Sequence, residues 1–215
     1  MDKIEVCYAY IEVPDASTIS AVALRGFLGY LFVEDTEFHH HSDSPYHYPL
    51  VQYKKVRGRL MVMGLKDYAE VVCRKMSTLD HITTPNGRIN VQSVDLVTDS
   101  FSVKEETRIR FRFATPWIAL NEENYQKFRN LESAKKKAFL EKILVGNVLS
   151  AIKGLSVFAK FKVTADLETF RPQRVFVHEN QFQAFRASFT TNVNLPRFFG
   201  LGKSVSKGFG AIESS

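Results

Sequence analysis

Three consecutive histidines, His39, His40 and His41, stand behind Phe38, and Tyr46-His47-Tyr48 follows shortly after. An imidazole takes or gives a proton near pH 7. Far along the chain, Gly200-Leu201-Gly202-Lys203-Ser204-Val205-Ser206-Lys207-Gly208-Phe209-Gly210 sets two Gly-apolar-Gly triplets around five residues, two of them lysines. Glycine lets another molecule approach the main chain closely. Bare N–H groups beside Lys203 and Lys207 form a cradle for phosphates. Together the two stretches imply a protein that handles a phosphate backbone and cuts it. RNA carries its own nucleophile, the 2′-hydroxyl. Cleavage then needs a base for that proton, an acid for the leaving 5′-oxygen and a cation for the charge on phosphorus. His39 and His41, two apart, share a face of an extended loop. Tyr48, Lys54 and Lys55 lie just beyond.

Competing readings exist for each feature. Histidines two apart also bind metals, but Glu34, Asp35 and Glu37 are the only near carboxylates and form no acidic cluster. A solvated loop with incidental histidines is the other alternative. The glycine run is not a P-loop, since Arg197 stands where its first glycine belongs, nor a dinucleotide fingerprint, since Val205 replaces the third glycine. Lys207-Gly208-Phe209-Gly210 is like the opening of an RRM's central strand, yet only five residues follow it, too few for the helix and strand an RRM needs next. Arg108, Arg110 and Arg112 alternate with Ile109, Phe111 and Phe113. Period two puts the arginines on one face, either a solvated strand surface or, with Lys203 and Lys207, a track for an RNA backbone. His81 and His178 read as surface or satisfied residues, and Lys135–Lys137 as an exposed helix face.

A length of 215 residues fits one large domain or two small ones, and 45% apolar content supports a core. A net charge of +6 weakly favours an anionic partner. Cys7 and Cys73 each sit in an apolar run and read as two reduced core residues; no CxxC spacing offers a metal site. The start, Met-Asp-Lys-Ile-Glu, lacks a signal peptide's apolar region, and no 18-residue apolar stretch occurs. The expectation is a cytoplasmic protein without a membrane partner.

These residues must be positioned by alternating strands and helices. Residues 3–13 read as a strand, Pro14–Ser17 as a turn with Ser17 capping a helix over 18–33, and 34–47 as a loop. Tyr48–Lys55 and Arg59–Met63 form a hairpin through Gly58, a helix spans Lys66–Met76, and 86–103 is strand, long for a single one. That order is ferredoxin-like. The second half repeats it less regularly: a strand over 107–113, a helix over 131–152 introduced by Asn121 or Asn124 and closed by Gly154, then strands over 155–165, 172–179 and 182–193. The predicted class is α+β, with two tandem ferredoxin-like (RRM-like) domains over 1–104 and 105–215. The second is degenerate and carries the C-terminal glycine-rich loop.

The pattern Gly-apolar-Gly-x5-Gly-apolar-Gly resembles the signature of the CRISPR-associated endoribonucleases that cut precursor CRISPR RNA, within the repeat-associated RNA-binding superfamily. Leu24-Arg25-Gly26, the block Tyr48-Pro49-Leu50-Val51-Gln52-Tyr53-Lys54 behind histidines, and Thr115-Pro116-Trp117-Ile118-Ala119-Leu120-Asn121 with Asn124-Tyr125 resemble its b-type subgroup. The likeness covers nearly the whole chain. It implies metal-independent cleavage with no cofactor, and products ending in a 2′,3′-cyclic phosphate and a 5′-hydroxyl. It places the catalytic pair on His39 and His41, with His40 and His47 as further candidates, and a tyrosine at Tyr48; Lys54 is the cation read beside them for the charge on phosphorus. RNA contacts fall on Gly200, Gly202, Lys203, Lys207, Gly208 and Gly210, joined by Arg108, Arg110 and Arg112. The implied partners are a CRISPR repeat transcript, a second copy of the chain, and subunits of a CRISPR effector complex; the alternative is a repeat-RNA-binding subunit without catalysis.

Overall fold

The structure, a computed structural model, describes residues 3–31, 48–85 and 87–215. The chain forms two units: Ile4–Ser100 with Ser206–Gly208, and Phe101–Val205 with Phe209–Ser215.

In the first unit, β1 (Ile4–Glu12) buries Cys7, Ala9 and Ile11 on one face, as the alternation of a strand requires. After α1 (Ala21–Leu31), β2 (Val51–Val56) and β3 (Arg59–Leu65) form a hairpin. Arg57 and Gly58 both take positive φ, 51° and 83°, as a two-residue hairpin turn of this twist needs. α2 (Asp67–Met76) turns Ala69, Val72 and Met76 onto the core with Leu24 and Leu28 of α1. The sheet order is β2-β3-β1-β6, with β6 spanning Ser93–Phe101. This is the ferredoxin-like order, with β6 as the fourth strand.

The segment read as one long strand over 86–103 is divided. β4 (His81–Thr84) and β5 (Gly87–Asn90) pair as a separate ribbon. The Val91 N–H then bonds the Asp80 carbonyl and the Gln92 N–H bonds that of Glu12, both at 2.8 Å. These bonds turn the chain from the ribbon onto the sheet beside β1. The start of α1 also differs from expectation. Asp15 accepts the Ser17 N–H at 2.8 Å and seeds a 3₁₀ turn over Ala16–Thr18, while the Ser20 hydroxyl caps α1 through the Ala23 N–H at 3.0 Å. The cysteines are not free thiols. Cys7 on β1 faces Cys73 on α2 with Cα atoms 6.2 Å apart, and they form a disulfide.

In the second unit, β7 (Glu105–Phe113) leads to α3 (Glu122–Asn130) and α4 (Ser133–Gly154). The strands β8 (Ala165–Val177), β9 (Asn180–Val193) and β10 (Ile212–Ser214) follow. The order β10-β7-β9-β8 is again ferredoxin-like. Here the connection from β9 to β10 carries only a 3₁₀ turn, Val205–Lys207, where the fold usually has its second helix. β8 is the edge strand, which accommodates Pro172 in its middle. Residues 155–164, expected to be strand, are irregular. Gly154 is the last helical residue of α4, and Ser156 (φ 62°) takes the left-handed conformation that ends it. Of the two cap candidates Asn121 is used, accepting the Asn124 N–H at 2.7 Å, but it opens the separate helix α3, and α4 starts afresh at Ser133. The core is aromatic: Phe113 stacks on buried Trp117 at 5.0 Å, and Phe128 meets Phe185 edge-on at 5.6 Å.

Candidate active site

His39, His40, His41 and His47 lie outside the described residues. The description resumes at Tyr48, which leads into β2. Tyr53 turns into the helix-covered core of the first unit, so Gln52 and Lys54, its neighbours on either side, occupy the opposite face of β2. Their cross-strand partners are Met63 and Met61, and both polar side chains are fully buried. The Gln52 amide donates to the Tyr48 hydroxyl oxygen at 2.9 Å and to the Pro49 carbonyl at 3.0 Å. The tyrosine ring is thus held at the mouth of β2 by a buried side chain four residues on.

Lys54 is the most unusual group of the unit. Its Nζ has no hydrogen-bond partner among the described residues, and nor has the Gln52 Oε1 on the same strand face. Burial pushes the Lys54 ammonium down from 10.5 to about 7. A buried cation without a partner costs several kcal/mol, and a perturbed amine of this kind is a candidate functional group. At neutral pH this amine is shared between a charged form that stabilises an anion and a neutral form that accepts a proton. Lys55, one residue on, does the opposite job. It donates to the carbonyl oxygens of Ala16, Ser17 and Ile19 and pins the turn that precedes α1.

The glycine loop is built from close approaches. Gly202, Gly208 and Gly210 have φ of 94°, 94° and 67°. A Cβ on Gly202 would stand 2.7 Å from the Ile118 carbonyl oxygen, and one on Gly210 would collide with that of Leu201. Much of the loop backbone is already used. The Leu201 N–H bonds the Gly210 carbonyl, that of Lys203 bonds Ile118 and that of Gly210 bonds Pro116, all at 2.9 Å. The glycines therefore serve internal packing first, and the phosphate cradle expected of bare N–H groups is narrower than the sequence implies. Gly200 bridges Ala211 at the root of the loop. Ser206–Gly208 belongs to the first unit, where Gly208 packs on the backbone of Tyr53 and Lys54. Two predicted site residues, Gly208 and Lys54, are thereby brought together.

The arginine stripe is real but engaged. Arg110 Nε donates to Glu168 at 2.7 Å and Arg112 Nε to Glu213 at 3.0 Å, while Arg108 donates to the Thr190 hydroxyl at 2.9 Å and lies 3.6 Å from Asp166. An RNA backbone would have to displace these partners. Lys203 and Lys207 have no side-chain partner among the described residues.

Comparison with known proteins places this arrangement. Residues 2–102 match the Cas6b N-terminal domain model and residues 103–215 the Cas6b C-terminal domain model. The chain belongs to the Cas6b family. An uncharacterized protein of Methanocaldococcus jannaschii is 43% identical over 107 residues, half of this chain and 73% of that protein. A crystal structure of Cas6b shares the fold with a TM-score of 0.87 at 22% identity, and a CRISPR RNA processing endoribonuclease Cas6b with 0.78 at 21%, both over the full length of each chain. Tyr48, Gln52 and Lys54 fall in the Cas6b N-terminal domain and the glycine loop in the C-terminal one.

Sequence pattern assigns no role to Gln52, and it names Lys55 beside the site without showing that it pins the turn before α1. Gln52 and Lys54 alternate with Val51 and Tyr53, the pattern of a solvated strand face, so nothing in the pattern marks them as buried.

Proposed function

We propose that this chain is an endoribonuclease that processes precursor CRISPR RNA by cutting within the repeat. The observation that carries the reading is the match of both halves to the Cas6b domain models. The buried, unpartnered amine on the strand that follows the histidines supports it. In the proposed reaction one of His39 and His41 removes the 2′-hydroxyl proton. The 2′-oxygen bonds to the adjacent phosphorus and the bond from phosphorus to the 5′-oxygen breaks. The other histidine gives its proton to the leaving 5′-oxygen. The products end in a 2′,3′-cyclic phosphate and a 5′-hydroxyl, and no metal ion takes part. Tyr48, held by Gln52, orients the phosphate, and charged Lys54 offsets the negative charge that builds on its oxygens. Lys203, Lys207 and the glycines between them hold the RNA in line for attack.

The test is incubation of a transcript of the chain's own CRISPR repeat with the protein in EDTA. Cleavage leaving a cyclic phosphate, slowed at least about 100-fold by His39→Ala or His41→Ala, is the expected result. Intact RNA with shifted mobility identifies a binding subunit. Loss of cutting in EDTA identifies a metal-dependent nuclease.

A further inference from the structure

We propose that a groove in the second unit is a binding site for a single-stranded nucleotide of the RNA, with the base against Tyr125 and its phosphate on Arg174 and Lys203. The inference rests on the RNA reading above and extends it to residues outside the glycine loop's backbone.

The groove has a volume of about 940 Å³ and lies between the start of α3, the β8–β9 hairpin and Lys203. This is at the upper end of the range for sites that enclose small organic ligands, about 300–1,000 Å³. Its lining is suited to a nucleotide in three ways. Tyr125 is 36% exposed, so a ring face is available, and Phe182 adds a second aromatic wall. Aromatic rings accept any base by stacking. Asn180 and Gln181 present amides that both donate and accept, as base edges and ribose hydroxyls require. Asn121 spends its Oδ1 on the cap of α3, which leaves its amide N–H groups for a ligand.

The third feature is charge. Arg174 and Lys203 are the cations of the groove and Glu122 is its one carboxylate. Neither cation has an ion-pair partner among the described residues. Elsewhere in this unit, Arg108, Arg110 and Arg112 all have carboxylates within 3.6 Å. Unlike that arginine row, the two groove cations are not drawn off by a carboxylate, and within the groove they outnumber its one carboxylate. Lys203 is rooted rather than loose: its N–H bonds the Ile118 carbonyl at 2.9 Å, and Gly202 packs on Trp117 and Ile118. The loop that is to hold the scissile region therefore projects one lysine into the groove, which makes the groove a continuation of the same RNA track.

The experiment uses the full chain, a labelled dodecauridylate and the repeat transcript, with affinity read by fluorescence anisotropy at several salt concentrations. On whichever probe the wild type holds, Tyr125→Ala weakens binding about tenfold, and Tyr125→Phe stays near wild type because stacking needs only the ring. Arg174→Ala lowers the slope of log affinity against log salt by about 0.7, one phosphate contact to a single strand. Unchanged affinity and slope in Tyr125→Ala and Arg174→Ala, while Lys207→Ala binds more weakly, overturns the groove and leaves the RNA reading standing. Wild-type protein that binds neither probe overturns both. Unfolding midpoints near the wild-type value show that the exposed substitutions leave the fold intact.

Discussion

Gly208 rests on the backbone of Lys54. A Cβ placed on Gly208 would stand 3.8 Å from the Lys54 Cα, 3.2 Å from the Tyr53 carbonyl oxygen and 2.5 Å from the Cβ of Ala21 on α1. The Ser206–Gly208 turn of the glycine loop and β2 therefore meet within the first unit. Within this unit the contact fixes the Ser206–Gly208 turn against the strand that carries Lys54.

Gly208→Ala should lose stability on two counts. Its φ of 94° strains any residue with a Cβ, and the new methyl has no room beside Ala21. The expected cost is about 1–3 kcal/mol, read as a drop in the unfolding midpoint, with slower RNA cutting below that midpoint. A variant as stable as wild type would show that the loop does not pack here.

Lys54→Met should make the protein more stable and less active. Burial depresses the folded-state ammonium from 10.5 to about 7, so between those values the unfolded chain binds the extra proton. Wild-type stability then rises with pH from about 7 to 10.5, and the burden is fully present below 7. Removing the charge should add roughly 4 kcal/mol at pH 7, an upper bound, and the gain should shrink toward pH 10. Denaturant unfolding at several pH values reads this directly. Cleavage should fall about 100-fold or more.

The same group sets a pH profile. If the charged amine acts on the phosphate, single-turnover cutting should fall as pH rises through and above about 7, where the free protein loses that proton. Lys54→Arg keeps the cation at all these pH values. Its rate need not match wild type, but its fall above pH 7 should be shallower, leaving only the limb of the acid histidine; an unchanged limb assigns the ionisation to another group.

Reduction of the Cys7–Cys73 bond, which closes a sequence separation of 66 residues, should cost about 4 kcal/mol on the chain-entropy view. Thermal unfolding with and without a thiol reductant measures it. Cys73→Ala should unfold like the reduced protein and no longer respond to the reductant.

Much of the fold can be read from local pattern. β7 alternates arginine with Ile109, Phe111 and Phe113, and its two phenylalanines are buried as period two demands. The Asn121 cap and the β2–β3 turn at Gly58 are equally legible, since short-range chemistry decides them. Features decided by distant partners are not. The break between β5 and β6 depends on carbonyls of Asp80 and Glu12. The disulfide depends on how α2 lies on β1. Ser17 and Ser20 are equally good caps in isolation, and the choice falls to Ser20 because Asp15 and Lys55 hold the turn before it. At the site, the glycine spacing and Lys54 stand out in sequence, whereas the burial of Lys54 and the Gln52 clamp on Tyr48 need the whole sheet to become visible.

Where a helix would normally precede the last strand of the second unit, the chain instead runs through a 3₁₀ turn. A helix would commit a side chain every three or four positions to the interior. This connection buries Val205, Gly208 and Gly210, and leaves Lys203, Ser206 and Lys207 at least partly in solvent. The architecture thus separates positions closed by backbone packing from positions open to solvent, so Lys203, Ser206 and Lys207 can be exchanged one at a time while the sheet beneath is undisturbed.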